Sequence, residues 1–460
     1  MITLQNIKPI STQDNQKEFI HLKDETMIER KNKVLKKMRE NEIDTLVIYG
    51  DLEHGSNFEY LTGILTRFEE GLLILHKSGE SYLLLGNENL GKVSYSRIKS
   101  KAIHVPFFSL PNQPMLDDTT IVNYLKEAQI KPNTKVGLVG WKMFTSKVLN
   151  NSQLYDIPYY IVDAIKEIVG FDHMCNCCSM FIGPDGVRTT NNPNEIAHYE
   201  FASVLASDGM MDALNHVEVG IKEMELGEYM SKCGQRNSVV TIASTGERFQ
   251  YGNLYPANNI VKVGDKMSLT VGYRGGLSSR AGYAVESADQ LPNDVKDWLD
   301  KLVKPYYQAV VTWLEKIEIG MTGDELYQNI ERVLPKDKYH WSLCPGHLIG
   351  EEEWMSSPIY EGSKETLKSG MLLQIDIIPS ISGYGGASCE SGILLADNEL
   401  KNKLKEEYPE MYERFEKRRD FIQNVLNIHL SNDVLPMNDT VGYYRPYFLN
   451  KELALVQIQK

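Results

Sequence analysis

The first 170 residues alternate between a charged helical pattern and short apolar runs. Residues 29–41 place apolar side chains at helical spacing among charged ones, which predicts an amphipathic helix. A turn-like segment at 77–80 separates two of the apolar runs and predicts a β-hairpin. Strands are predicted at residues 45–49, 71–75, 82–85, 135–139 and 159–162. This alternation is typical of a self-contained α/β domain.

A segment rich in Gly, Pro and Asn, residues 181–193, separates this part from the rest of the chain. Asn194 is expected to cap the next helix, with Glu195 in its first turn. Long helices are also predicted at 295–316 and 409–428, and apolar strand pairs lie between the helices in an α+β order. We therefore predict an N-terminal α/β domain over residues 1–175, a linker over 176–192 and an α+β domain over 193–460.

The second domain contains an internal repeat. Residues 217–226 and 317–326, spaced 100 residues apart, share their apolar, Gly and Glu positions, and each is followed by a Gly-centred turn into an apolar strand. The matched residues are Gly264 with Gly370, Thr270 with Asp376, and Arg280 with Glu390. A duplicated unit of this kind predicts pseudo-twofold symmetry, with the paired side chains meeting in one central site.

Composition narrows the possible partners. The 460 residues are 42% hydrophobic, as in an ordinary globular protein, and the net charge is −13 with Lys and Arg scattered along the chain. Scattered basic residues argue against a nucleic-acid surface. No run of about 18 apolar residues occurs, and the N-terminus lacks the pattern of a signal peptide. We expect a cytoplasmic protein with no membrane partner.

The six cysteines are too few for a disulfide scaffold in a chain of this length. His173, Cys175, Cys177 and Cys178 offer ligand types for zinc, but no second half of a zinc motif lies at a suitable distance. Packed thiols at a domain junction are the favoured interpretation, with a structural metal as the alternative.

The ordered motifs resemble the pita-bread family of creatinase, prolidase and aminopeptidase P. They are the linker segment 192–197, the two Gly-turn strands of the repeat, Pro-Gly-His at 345–347, and the segment 385–390 that ends in Glu390. The resemblance covers nearly the whole chain. It implies a creatinase-like α/β N-terminal domain, an α+β pita-bread domain with an internal pseudo-twofold repeat, and a homodimer.

The resemblance also places the family's metal ligands, which hold two divalent ions in its peptidases. Matched motif by motif, they fall on Thr270, Arg280, His347, Asp376 and Glu390. A threonine hydroxyl is a poor ligand for such ions and an arginine cation repels them. We therefore predict a family member with degenerate ligand positions, no bound metal and no other cofactor.

Two further histidines of the family are also replaced. One falls near Asn253 and the other near Trp354 or Met355. Loss of both removes the family's usual proton shuttle. Asn253 and Trp354, together with Thr270 and Arg280, are instead candidates for binding a substrate.

Three functions stay open. In the first, His347, Asp376 and Glu390 manage protons in a metal-independent hydrolase of a C–N bond, while Arg280 holds a substrate carboxylate or an oxyanion. The bond would be an amide, peptide or amidine-like one in a small molecule or short peptide. In the second, these charges form only a satisfied ion-pair network in a catalytically inactive binding or structural protein. The third is a dinuclear metal aminopeptidase or dipeptidase.

Two neighbouring features are weighed against simpler interpretations. Cys344 and Cys389 flank the candidate site, and a nucleophilic pair of a cysteine with His347 is the alternative to the favoured interpretation, which is that they are inert buried thiols. The acidic run 351–353 is expected to be a solvated loop, with a cation-binding rim as the alternative.

Overall fold

The computed structural model describes residues 1–10, 18–113, 119–248 and 250–458. The chain forms two compact units, one of residues 22–189 and the other of residues 1–21 together with 190–460. The first strand, β1 (Ile2–Asn6), belongs to the second unit because it pairs antiparallel with the last strand of the chain. The domain boundaries therefore differ from the sequence-based ones at both ends of the first domain.

The unit of residues 22–189 is built on one mixed six-stranded sheet with the strand order β5-β4-β3-β2-β6-β7. Strands β3 and β4 form the predicted hairpin. The elements are α1 (Asp24–Glu40), β2 (Thr45–Gly50), α2 (Ser56–Thr62), β3 (Gly71–His76), β4 (Ser81–Leu85), β5 (Lys101–His104), α3 (Ile121–Glu127), β6 (Val136–Val139), α4 (Tyr159–Val169), β7 (Met174–Asn176) and α5 (Ser179–Ile182).

One predicted strand is wrong. Residues 159–162 begin α4, an eleven-residue helix that buries Ile161, Ile165 and Ile168 at helical spacing. The four-residue apolar run is too short to distinguish a strand from the first turn of a helix, and the period becomes visible only over the following residues.

The second unit begins with the long helix α6, whose N-terminus differs from the prediction. Its N-cap is Asn192, not Asn194: the Asn192 side chain accepts a hydrogen bond from the Glu195 amide (3.0 Å), and the Glu195 carboxylate accepts one from the Asn192 amide (2.9 Å). This capping box allows Pro193 to occupy the first helical position, where no amide hydrogen is needed.

Two four-stranded sheets form the body of this unit, with the strand orders β13-β10-β9-β8 and β11-β12-β14-β15. Its elements are α6 (Pro193–His216), α7 (Glu223–Met230), β8 (Ile242–Thr245), β9 (Lys266–Tyr273), β10 (Gly276–Tyr283), α8 (Lys304–Lys316), α9 (Gly323–Val333), α10 (Lys336–Tyr339), β11 (His347–Leu348), β12 (Leu372–Gln374), β13 (Ser388–Glu390), β14 (Gly392–Leu395), α11 (Asn398–Glu407), α12 (Pro409–Asn424), β15 (Val434–Pro436) and β16 (Leu453–Gln457), which pairs with β1.

The repeat seen in the sequence is visible in the structure. Helices α7 and α9 start at equivalent points of the two halves, and Gly264 and Gly370 both adopt a left-handed backbone, with φ of 87° and 89°. A side chain at either position would be strained, so both turns into the central strands require glycine. In the described part of the chain, no helix is long and apolar enough to cross a membrane.

Candidate active site

Four polar side chains meet on one face of the sheet that contains β9, β10 and β13. Ser279 lies opposite Thr270 on one side and opposite Glu390 on the other. The hydroxyls of Thr270 and Ser279 are 2.8 Å apart, and the Ser388 hydroxyl donates to a Glu390 carboxylate oxygen at 3.0 Å. The first sheet thus supplies one buried carboxyl surrounded by hydroxyl groups.

Arg280 does not face this group, contrary to the sequence-based expectation. Its guanidinium donates to the main-chain carbonyls of Ser279 (2.6 Å), Glu390 (2.8 Å), Tyr443 (3.0 Å) and Thr440. The Glu390 carbonyl is contacted, but its carboxylate is not among these acceptors. Successive residues of a strand point to opposite faces of the sheet. Arg280 follows Ser279 on β10, so its side chain points away from the site and into the interior behind the sheet. Arg280 is a buried clamp for backbone carbonyls.

The register of the hairpin decides which side chain lies next to Thr270. Ser279 is the cross-strand partner of Thr270, and Arg280 follows it on the opposite face of the sheet. The side chain beside Thr270 is therefore a neutral hydroxyl and not the Arg280 guanidinium.

The second sheet contributes His347 and Asp376. His347 lies on β11 opposite Gln374 of β12, and Asp376 follows two residues after Gln374. His347 Nε2 is 3.8 Å from Asp376 Oδ2 and 3.3 Å from Glu353 Oε1, the latter at ion-pair distance but without the direction of a hydrogen bond. The structure therefore brings His347, Asp376 and Glu353 together.

Trp354 covers the histidine. Its ring stacks on His347 with centroids 4.2 Å apart and an interplanar angle of 23°, and the His347 side chain is completely buried. Trp354 therefore packs directly against the candidate site histidine. Met355 is buried beside it and pairs through its backbone with Leu348.

The carboxyl groups differ in their electrostatic environments. Burial raises the pKa of Asp376 to about 6, with the charge of His347 opposing this and that of Glu353 adding to it. Burial raises the pKa of Glu390 well above its ordinary value, and the charges of Asp376 and Glu353 raise it further. Both carboxyl groups therefore keep their protons to a higher pH than ordinary carboxyl groups do.

His347 has a raised pKa of a different origin. Burial alone lowers its pKa, but contact with Glu353 and the charge of Asp376 outweigh that effect. Its Nδ1 lies 3.1 Å from the Leu348 carbonyl, a contact that fits a protonated Nδ1.

Several buried polar atoms in this region have unused hydrogen-bonding capacity. In the residues that the structure describes, neither Asp376 Oδ1 nor either polar atom of the Gln374 amide has a hydrogen-bond partner. Buried polar groups are normally satisfied, so these atoms mark a place where a polar ligand or water is accommodated. Gln374 was missed by the sequence analysis, since an amide within an apolar strand gives no motif.

The donor set does not fit the dinuclear metal centre of the family. Next to the Glu390 carboxyl stand the neutral hydroxyls of Thr270 and Ser279, and the resemblance implies a glutamate where this chain has the shorter Asp376. Within the described ranges, no group of three or more His, Cys, Asp and Glu side chains is arranged to hold a metal ion. Neutral hydroxyls cannot offset the charge of two divalent ions.

Asn253 lies apart from this cluster. It is exposed, and its amide donates to the Tyr255 carbonyl at 3.0 Å. It lines a cavity of about 280 Å³ together with Glu223 and Arg248. Burial lowers the pKa of Arg248 and the Glu390 carboxyl raises it in part, which indicates that Arg248 lies near the site.

The acidic run is not simply a solvated loop. Glu351 is buried and pairs with Arg274 at 3.1 Å, and Glu353 contacts His347 as described. The only hint of the Glu353 contact in the sequence was that Glu353 lies six residues after His347.

Cys389 points away from the cluster. Its Sγ lies 3.5 Å from the Tyr443 carbonyl, so it forms no pair with His347.

Comparisons with known proteins agree with this architecture. The model of metallopeptidase family M24 matches residues 197–397. No curated protein sequence matches the chain. Among solved structures, an Xaa-Pro dipeptidase from Bacillus anthracis is 17% identical, with a TM-score of 0.60, covering 81% of this chain and 96% of its own.

Two other structures are similar. A prolidase from Pyrococcus furiosus is 19% identical, with a TM-score of 0.57, covering 79% of this chain and 97% of its own. An X-Pro aminopeptidase from Thermotoga maritima MSB8 is 15% identical, with a TM-score of 0.60, covering 80% and 95%. The fold is therefore the pita-bread fold of creatinase-like and Xaa-Pro peptidase-type hydrolases. The match to the model of metallopeptidase family M24 lies within the second unit, and the resemblance of the motifs to the pita-bread family is confirmed.

Proposed function

We propose that this protein hydrolyses an amide or peptide C–N bond in a small substrate without a catalytic metal. The observation that carries the proposal is a pair of buried carboxyl groups, Asp376 and Glu390, in which the charge of Asp376 raises the pKa of Glu390, with His347 Nε2 3.8 Å from Asp376 Oδ2. Two carboxyl groups that interact in this way can divide the roles of base and acid in one reaction.

In the proposed reaction, Asp376 accepts a proton from a water molecule whose oxygen attacks the carbonyl carbon. His347, oriented by Glu353 and Trp354, donates a hydrogen bond to the carbonyl oxygen as negative charge develops there. Glu390 gives its proton to the leaving nitrogen as the C–N bond breaks. Proton exchange with solvent then returns Glu390 to its acid form and Asp376 to its base form.

The set of substrate-binding residues changes at one position from the sequence-based one, because Arg280 is replaced. Arg280 is committed to backbone carbonyls, so we assign recognition of a substrate carboxylate to Arg248. The hydroxyls of Thr270 and Ser279 would bind polar groups next to the scissile bond. Asn253 and Trp354 would contact more distant parts of the substrate. A homodimer, which the family resemblance implies, is part of the proposal and is testable by sedimentation velocity.

The test is hydrolysis of Xaa-Pro dipeptides, chosen because similar structures include an Xaa-Pro dipeptidase. We expect turnover to persist in excess chelator and to fall by about 100-fold or more in Asp376→Asn and in Glu390→Gln. Glu399→Gln, at an exposed helical position, is the matched control and should keep full activity. Turnover that stops with chelator and returns with manganese would refute the metal-independent reaction.

A binding protein without turnover is the second candidate. The observation in its favour is the Trp354 ring, which stacks on His347 and leaves that side chain fully buried. Calorimetry with the same dipeptides separates the two functions. Saturable binding without product formation supports the second candidate, and measurable product supports the first.

A further inference from the structure

Two cysteine thiols lie close together in the unit of residues 22–189. The Sγ atoms of Cys175 and Cys177 are 3.6 Å apart. Strand β7 ends at Asn176, whose side chain accepts a hydrogen bond from the Cys178 amide at 2.9 Å, so the chain turns just after the strand. Even in a fully extended strand, residues two apart are separated by roughly 6.6 Å. That separation is within the Cα range that a disulfide spans.

The two thiols have different environments. Cys175 is partly exposed and Cys177 is buried. The hydrogen bond with Cys177 lowers the pKa of Cys175 to about 7, against the effect of burial and with help from the charge of Lys135. The same contact and burial raise the pKa of Cys177 well above its ordinary value. The accessible thiol is therefore the one that ionises first, as an attacking thiol should.

A tyrosine hydroxyl lies beside the pair. Burial raises the pKa of Tyr155 to about 12, and the charges of Cys175 and Cys177 contribute to the shift. In the described part of the chain, the Tyr155 hydroxyl has no hydrogen-bond partner. It is placed to donate to a thiolate when one forms.

Packing in the protein core explains some cysteines of this chain but not Cys175. Cys178 and Cys389 fit that explanation, because both are buried and burial raises the pKa of each. Cys175 differs, because it combines partial exposure, a lowered pKa and a second thiol within reach. A close thiol pair with one accessible member is the arrangement that forms and breaks a disulfide.

We propose that Cys175 and Cys177 form a reversible disulfide with each other when the protein meets a low-molecular-weight disulfide such as oxidised glutathione. The Cys175 thiolate attacks one glutathione sulfur, which forms a mixed disulfide and releases one glutathione thiolate. Cys177 then gives up its proton, and its sulfur attacks Cys175 Sγ, which releases the second glutathione. Two protein thiols are oxidised, and one glutathione disulfide is reduced to two thiols.

The position of the pair favours reversibility. Strand β7 is at the edge of its sheet and pairs only with β6, where Gly137 lies opposite Cys175. A Cβ atom at Gly137 would stand 2.5 Å from Cys177 Sγ, so this glycine provides the space that the thiol needs. Cys175 is also partly exposed, so a reducing thiol can reach a bond formed there.

The test is incubation of the protein with oxidised glutathione, alkylation of remaining thiols, and mass spectrometry of the peptide that contains residues 175–178. We expect the wild-type peptide to lose two hydrogen atoms and carry no glutathione, and dithiothreitol to reverse the change. Cys177→Ser should retain one glutathione on Cys175, because the second step is blocked. Cys178→Ala is the matched control and should behave as the wild type.

Either of two results in the wild-type protein would overturn the proposal. One is glutathione remaining on Cys175, and the other is a bond that includes Cys178 in place of Cys177. Since the wild-type measurement requires no substitution, it decides the matter even if a variant does not fold.

Discussion

The hydroxyl of Thr270 lies 2.8 Å from the hydroxyl of Ser279 across the β9–β10 hairpin. This contact puts two neutral hydroxyl groups side by side on the face of the sheet that carries Glu390, so this face offers few negative donors to a divalent ion. The Arg280 guanidinium, which the sequence suggested would repel such an ion, lies behind the sheet.

Rebuilding the two positions tests this assignment. We expect the natural protein to contain no stoichiometric manganese or zinc, and Thr270→Asp with Ser279→Asp to bind one of these ions, because the pair adds two carboxylates beside Glu390. The readout is a metal-dependent rise in melting temperature, with calorimetry for affinity. Thr270→Asp with Arg280→Asp is the control and should bind no metal. Metal binding by the control alone would show that the register is misread.

Removing the buried guanidinium should destabilise the protein. Arg280→Met removes the charged donor to the backbone carbonyls of Ser279, Glu390 and Tyr443. We expect the free energy of unfolding to fall by about 3 kcal/mol or more, since each unsatisfied buried group costs about 1–3 kcal/mol. Urea denaturation gives the value. Arg332→Met, on the exposed face of α9, should change it by less than about 0.5 kcal/mol. A similarly small change for Arg280→Met would contradict the clamp role.

The raised pKa of Asp376 predicts a pH-dependent stability. Its folded-state pKa, about 6, exceeds the ordinary value of 3.8, so the folded state binds the proton more tightly and gains stability as pH falls from above 6 to about 4. Asp376→Asn removes this contribution. Relative to the wild type, the variant should gain on the order of 2 kcal/mol between pH 4 and pH 7. Denaturation at several pH values measures the difference, and a constant offset would contradict the raised pKa.

The Trp354 ring should control access to His347. The His347 side chain is fully buried, so we expect it to resist carbethoxylation by diethyl pyrocarbonate in the wild-type protein. Trp354→Ala should make it reactive and cost about 1 kcal/mol in lost stacking. Peptide mapping reports each histidine, and exposed His429 serves as an internal control in both proteins. Equal reactivity of His347 in the two proteins would show that Trp354 does not shield it.

Much of the fold follows from the sequence because its patterns are local. The β3–β4 hairpin and the buried strand β2 are recognisable from apolar runs and turn residues, as predicted. Gly264 and Gly370, whose φ angles are 87° and 89°, mark the repeat because a side chain would be strained in that backbone. Where a local run was too short, as at the start of α4, the prediction failed.

The sequence by itself singled out the candidate residues of the site: His347, Asp376 and Glu390 were all identified from motifs. Tertiary structure alone decided their partners. Arg280 and Ser279 are adjacent in the chain, yet strand pairing sends one to the backbone carbonyls and the other to the site. Glu353 reaches His347 only because the chain returns past β11. A strand alternates faces at every residue, so function depends on a register that is fixed by pairing between distant segments and is absent from local sequence.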